Sequence, residues 1–208
     1  MIIHEHKAIF VHIPKTAGSS LEVAFNTARQ TREGAIDEAT GKFFPVTTGK
    51  EIHYDARDCR KHYGRKIWRD YFKFTVLRNP WQRIHSWWWN NREITRAVAL
   101  PFDEFIHTSL GSSSSLPKAL RPQVNWIISD NGKIEMDYIC HFETIDNDFR
   151  EVCHLINAPL AELPRVLVEN RNPGSRRHYT EDYDAQLIER VAAVYAEDIS
   201  AFDYQFDR

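Results

Sequence analysis

Residues 8–25 read AIFVHIPKTAGSSLEVAF, and this stretch decides how the rest of the chain is read. It opens with a short apolar run, Ala8 to Ile13, bounded like a buried strand. A compact loop follows, Pro14-Lys15-Thr16-Ala17-Gly18-Ser19-Ser20. Then comes a helical pattern with Leu21, Ala24 and Phe25 on one face. A strand, a loop and a helix in that order aim backbone N–H groups and the positive end of a helix dipole at one point. Lys15 adds a mobile full charge there. The physical reading is an anion site, for phosphate or sulfate. An ordinary strand-to-helix turn with a capping serine is the plainer alternative.

The 208 residues suit one α/β domain over 1–208 with a real core, and 42% hydrophobic with 27% charged residues is ordinary for a globular chain. A net charge of −2 gives no general case for nucleic-acid or anionic-membrane binding. Locally the balance differs. Residues 57–96 are basic, from Arg57 and Arg60 through Arg78 and Arg83 to Arg96, and the last thirty are acidic. A basic cluster inside a neutral chain fits a small polyanion better than a long polymer. Cys59, Cys140 and Cys153 form neither a disulfide framework nor a zinc pattern, so they read as free thiols in a reducing compartment. No apolar run reaches about 18 residues, as a transmembrane helix would require. MIIHEHK enters the first strand with no signal-peptide pattern, so a cytoplasmic location is expected.

Further along, residues 31–52 read as a long connection that covers a substrate site. Residues 55–69 are charged and partly helical, with Gly64 ending one helical segment. Tyr71 to Leu77, YFKFTVL, is the second strand, central and buried. Arg78-Asn79-Pro80 ends it, and Pro80 opens a helix expected to run to about Arg96. GSSSS at 111–115 reads as a mobile surface loop. Asn131-Gly132 marks a turn before a strand over Ile134 to Phe142. Thr144 or Asp146 caps a helix over about 147–157. A last helix is expected over about 181–200, with a capping box starting at Thr180.

PKTAGSS is not the common phosphate loop, which places Gly-Lys-Ser/Thr after four residues and a first glycine. Here the lysine precedes the glycine. A second motif lies in FKFTVLRNPWQRIHSWWW, where Arg78 sits at the carboxyl end of a buried strand and Ser86 follows on the helix. Together with HIPKTAGSS this resembles the sulfotransferase superfamily, in the carbohydrate branch that includes heparan-sulfate 2-O and chondroitin sulfotransferases and their bacterial relatives. IHYDARDCRKHYG, YICHFETIDNDF and AVYAEDISAFDYQF look like further landmarks of it.

The resemblance implies a P-loop-like three-layer α/β sandwich with a central, mainly parallel sheet. It implies transfer of a sulfuryl group from 3′-phosphoadenosine 5′-phosphosulfate to an acceptor hydroxyl, first of all a carbohydrate or other small molecule. Lys15 would stabilise charge on the leaving phosphate. Thr16, Ala17, Gly18, Ser19 and Ser20 would wrap the 5′-phosphate, and Arg78 and Ser86 would hold the 3′-phosphate. A guanidinium suits that task because its planar fork matches phosphate oxygens. The animal relatives are Golgi membrane proteins, often with disulfides. This chain has neither anchor nor cysteine framework, which weakens transfer of the glycosaminoglycan substrate.

No metal is required by this chemistry, and no metal-ligand spacing is present. An alcohol acceptor needs a base, and His53 is the candidate, since related enzymes carry a histidine ahead of the Arg-Asn-Pro strand and imidazole titrates near neutral pH. His12 is the rival, although its alternation with apolar neighbours reads as a buried structural histidine. Glu22 reads as a solvated first-turn acid favoured by the helix dipole. Trp87, Trp88 and Trp89 cannot all face one way, so at most part of that run lines a site. Arg176, Arg177 and Tyr179 either close over the nucleotide or form a solvated loop. Glu143 reads as paired inside the fold. The alternatives kept open are an ATP-dependent small-molecule kinase and a nucleotide-binding protein without catalysis.

Overall fold

The computed structural model describes residues 1–33, 53–94, 100–111, 116–160, 162–165 and 178–207. Four strands form one sheet in the order β1 (Ile2–Ile3), β2 (Ala8–Val11), β3 (Phe72–Leu77) and β4 (Tyr138–His141). β1 pairs antiparallel with β2, while β2–β3 and β3–β4 are parallel. The two-residue β1 turns back through His4–His6 and Lys7, whose φ of 46° is left-handed. The strand that follows MIIHEHK is visible in the sequence, while the hairpin made by β1 is not.

Alternation along the strands makes three layers. Phe10, Phe74, Val76 and Cys140 face one side. There they meet Leu21 and Phe25 of α1 (Gly18–Glu33) and Phe149 and Val152 of α7 (Ile145–Leu155). Ile9, Val11 and Leu77 face the other side. They pack on Cys59 of α2 (Ala56–Tyr63), Trp68 of α3 (Arg65–Asp70) and Trp126 of α6 (Val124–Ile127). Phe10 and Phe74 are fully buried and stack with ring centroids 5.2 Å apart. Truncating either to alanine costs about 3–5 kcal/mol by the usual cavity penalty. Thr75 spends its hydroxyl on the Val11 carbonyl at 2.8 Å, which removes the one polar group β3 would otherwise bury. A third apolar cluster joins α4 (Pro80–Trp89), α5 (Phe102–Ser109) and α8 (Ala185–Val194).

The observed architecture is the α/β sandwich expected, with a mainly parallel sheet between helices. Several boundaries differ. β4 begins only at Tyr138, and Ile134 makes just an isolated antiparallel bridge with Ile128. Asp137 explains this, because its N–H donates to the Lys73 carbonyl and its carboxylate accepts the Lys73 N–H, both at 2.7 Å. Pairing with β3 starts there. α4 stops at Trp89 and continues as a π-helix over Asn90–Ile94. The expected last helix is three pieces: a 3₁₀ turn at Tyr179–Asp182, then α8, then α9 (Ala196–Phe202) beyond a break at Tyr195. Its cap is Asp184, accepting the Leu187 N–H at 2.8 Å, rather than Thr180. Gly64, at φ 88°, separates α2 from α3 as expected.

Most of the 31–52 connection, the serines at 112–115, Arg96, Arg176 and Arg177 lie outside the described residues. Cys59, Cys140 and Cys153 are free and buried. Burial pushes the Cys59 thiol up to about 12 and that of Cys153 up to about 11, so both are core thiols rather than nucleophiles. Among the described residues no helix is long and apolar enough to cross a membrane.

Candidate functional site

Parallel register puts the carboxyl ends of β2, β3 and β4 at one edge, the place where open α/β sheets bind ligands. A cleft of about 920 Å³ opens there. Its lining includes Lys15, Ala17, Gly18, Ser19, Ser20, His53, Arg78 and Ser86. Of the nine residues singled out from the sequence, only Thr16 is missing from the wall. Thr16 is fully buried, and its hydroxyl donates to the Ile13 carbonyl at 2.8 Å. That hydroxyl ties the loop to the strand end, so any part Thr16 takes in anion binding comes from its backbone.

The loop is strained in a useful way. Lys15 and Ala17 have φ of 71° and 72°, a conformation that costs an ordinary residue roughly 1–2 kcal/mol. Positive φ at alternate residues curls the N–H groups inward, as in anion-binding nests. Such strain persists only where surroundings over-determine it. Here they do. Arg83 Nε donates to the Pro14 carbonyl at 3.1 Å and Arg78 Nη1 to the Lys15 carbonyl at 3.0 Å. Gly18 then starts α1, and a Cβ built on it would fall 1.9 Å from His12 Nε2. Only glycine leaves room for that ring.

The second arm is built as firmly. Gln123 grips the Arg78 peptide on both sides, accepting its N–H at 2.9 Å and donating to its carbonyl at 2.8 Å. Asp198, fully buried, accepts the Gln123 and Val124 N–H groups, each at 2.8 Å. Burial raises the Asp198 carboxyl pKa, while those bonds and the Arg83 charge oppose the rise. The Asn79 N–H donates to Glu143 at 2.7 Å, so Glu143 is paired as the sequence suggested, but from an exposed place on the cleft wall rather than inside the fold. Asn79 Oδ1 accepts the Trp81 N–H at 3.1 Å and caps α4. Arg78 itself is buried. Its Nε reaches Gln82 at 2.9 Å, and its guanidinium lies 3.8 Å above the Phe142 ring. Ser86, two turns along α4, faces the same cleft.

On the opposite rim, His53 stands just ahead of Asp55, the N-cap of α2. Its ring lies 4.8 Å from that of His12. Burial of its inner side, followed by the charge of His12, lowers the His53 pKa below 6.5 even though the residue keeps an exposed outer face. His12 is buried, as its strand position implied, yet it also lines the cleft. Glu22 is not the solvated acid expected. Its carboxylate meets His12 Nδ1 at 3.0 Å. Of the three tryptophans only Trp87 lines the cleft, packed on Phe105 at 5.3 Å. Tyr179 is buried against Asp207, so it belongs to the packing of this end of the fold.

The basic stretch 57–96 does not converge on the cleft. Arg57, Arg60, Lys66, Arg69 and Lys73 pair with Asp55, Asp130, Asp70 and Asp137 at the surface. Among the described cations of that stretch Arg78 alone lines the cleft, and Arg83 works beneath it. Sequence reading missed Arg83, Gln123 and Asp198. The single available signal was an acid at 198 in an otherwise apolar helical face.

Chemically, the cleft offers a curled backbone with a lysine, a guanidinium and a serine a short way off, and a neutral-leaning imidazole on the far rim. Among the described residues no group of three or more His, Cys, Asp or Glu could hold a metal ion. In comparisons with known proteins, the family model described as "Sulfotransferase family" matches residues 1–205. An uncharacterized protein of Archaeoglobus fulgidus is 25% identical over 101 residues, covering 48% of this chain and 79% of its own. No solved structure matches.

Proposed function

The chain belongs to the sulfotransferase family, and on that premise we propose that it moves a sulfuryl group from 3′-phosphoadenosine 5′-phosphosulfate to a hydroxyl of a carbohydrate or other small acceptor. One observation supports this most: the hydrogen bond from Arg78 Nη1 to the Lys15 carbonyl, at 3.0 Å. It brings two sequence motifs 63 residues apart to one cleft, as a two-phosphate donor requires.

When bound, the donor supplies a sulfuryl group already activated by its phosphate leaving group. The backbone from Thr16 to Ser20, with the Ser19 and Ser20 hydroxyls, holds the 5′-phosphate. Arg78 and Ser86 hold the 3′-phosphate. Lys15 places its ammonium where negative charge grows as the bond to sulfur breaks, the largest single contribution such a site makes. His53 accepts the acceptor's proton. Its lowered pKa keeps it neutral at pH 7, which a base must be. The cleft volume of about 920 Å³ accommodates a nucleotide with a small acceptor beside it. Residues 1–208 act as one domain in this reading, and the three free thiols favour a reducing, cytoplasmic setting.

Calorimetric titration with adenosine 3′,5′-bisphosphate, against ATP plus Mg²⁺, tests the donor. Binding of the first without need of metal is expected. Preference for ATP with Mg²⁺ would replace this reading by a kinase. A labelled-sulfate screen over sugars, lipids and phenols then identifies the acceptor.

A further inference from the structure

Three groups meet at the inner rim of the cleft that the family assignment does not explain. Glu22 rises from the second turn of α1 and its Oε1 lies 3.0 Å from His12 Nδ1. A carboxylate only accepts, so Nδ1 carries the hydrogen and the ring is held in one orientation. That orientation lays the Nε2–Cδ2 edge of His12 over the bare Cα of Gly18, where a Cβ would stand 1.9 Å away. The far side of the same ring meets His53 at 4.8 Å between centroids. The edge of Trp126 stands 6.5 Å from the His53 ring, between centroids. The charges acting on His53 from these elements are those of His12, Glu22 and Lys118.

We infer that Glu22 and His12 are positioning residues for His53: the carboxylate fixes the His12 ring, and that ring, wedged between Gly18 and His53, sets where the base stands relative to the phosphate loop. His12 leaves β2 two residues before Pro14, so its ring moves with the loop that carries Lys15. The base is therefore referenced to the bond that breaks. Small misplacements matter here, because a shift of about 1 Å in a reacting group can cost on the order of 10² in rate. The inference rests on the proposed function only in calling His53 the base.

Two variants of the full chain separate this from a merely structural role. Glu22→Ala removes the acceptor, while Glu22→Gln keeps a carbonyl oxygen for Nδ1 and removes the charge. The first readout is the cross-relaxation between the His12 and His53 ring protons by NMR. It should be present in the native chain and in Glu22→Gln and lost in Glu22→Ala. The second is transfer of the sulfuryl group from 3′-phosphoadenosine 5′-phosphosulfate to water, followed as release of adenosine 3′,5′-bisphosphate. Glu22→Ala should lower kcat about tenfold with KM for the donor nearly unchanged, and Glu22→Gln should restore it to within about threefold. An undiminished ring contact in Glu22→Ala overturns the inference. So does a rise in KM with kcat intact, which would make Glu22 part of donor binding. Failure of the native chain to bind adenosine 3′,5′-bisphosphate would instead remove the donor reading, and the ring contact would still decide the positioning.

Discussion

Replacing Arg83 by methionine would uncouple the loop from the fold. Its guanidinium is buried and donates to three carbonyls: Pro14 at 3.1 Å, Arg121 at 3.1 Å and Ala119 at 2.8 Å. A hydrogen bond from a charged donor is worth about 1.5–3 kcal/mol, so three amount to roughly 4–9 kcal/mol gross. Against this, burying a guanidinium costs several kcal/mol, and burial lowers the Arg83 pKa accordingly. Methionine recovers that cost but leaves three carbonyls short of a partner and Asp198 with less opposing charge. The net loss should be about 2–4 kcal/mol, or a fall in Tm of roughly 5–15 °C for a chain of this size. The Pro14 carbonyl is also freed, so the positive φ values at Lys15 and Ala17 lose one of their restraints. Affinity for adenosine 3′,5′-bisphosphate should fall about tenfold or more. Differential scanning calorimetry and isothermal titration measure the two. Tm and affinity both at native values would refute the claim that Arg83 holds the loop in shape.

Lys15→Ala should slow transfer by about 10²–10³, since it removes the electrostatic contact proposed for the leaving phosphate; undiminished turnover would count against that role. In Gly18→Ala the new methyl must displace the His12 ring, so nucleotide affinity and stability should both drop, the latter by about 1–3 kcal/mol on a denaturant curve. The pH profile of kcat/KM should lose activity as pH falls through a midpoint below 6.5, because a base whose pKa is lowered stays active further into acid before it is protonated. A profile in which that acid limb survives unchanged in His53→Gln would take the base role from His53.

The loop and the Arg-Asn-Pro turn were legible because each is written in consecutive residues. A lysine, small residues and serines between a strand and a helix dictate their own geometry. The histidine before Pro14 and the glutamate on α1 were visible too, but their contact was not, since it depends on how α1 returns across β2. Gln123 and Asp198 meet across 75 positions, and Arg83 reaches Pro14 across 69. Nothing local marks such partners. The basic stretch misled for a related reason. A run of cations says nothing about direction, and α2 and α3 turn most of them outward to nearby acids. The alternation of Ile134 and Met136 starts the expected β4 four residues too early, while hydrogen bonding begins at Asp137, and Phe142 already belongs to the next turn.

Arginine at position 78 does three things at once that a lysine could not. Its Nε binds Gln82 on α4, its Nη1 binds the Lys15 carbonyl, and its flat face rests on Phe142 beyond β4. These contacts reach one element from each of the three parallel strands' carboxyl ends. The residue proposed to hold one phosphate therefore also braces the backbone that holds the other. Gln123, fixed by Asp198, grips the Arg78 peptide from beneath, and Arg83 carries the same bracing to Pro14. In such an arrangement the two arms cannot be displaced separately. The donor proposed above, with phosphates at both ends of its ribose, would need both arms held together, and the backbone carbonyl of Lys15 is the point at which they are joined.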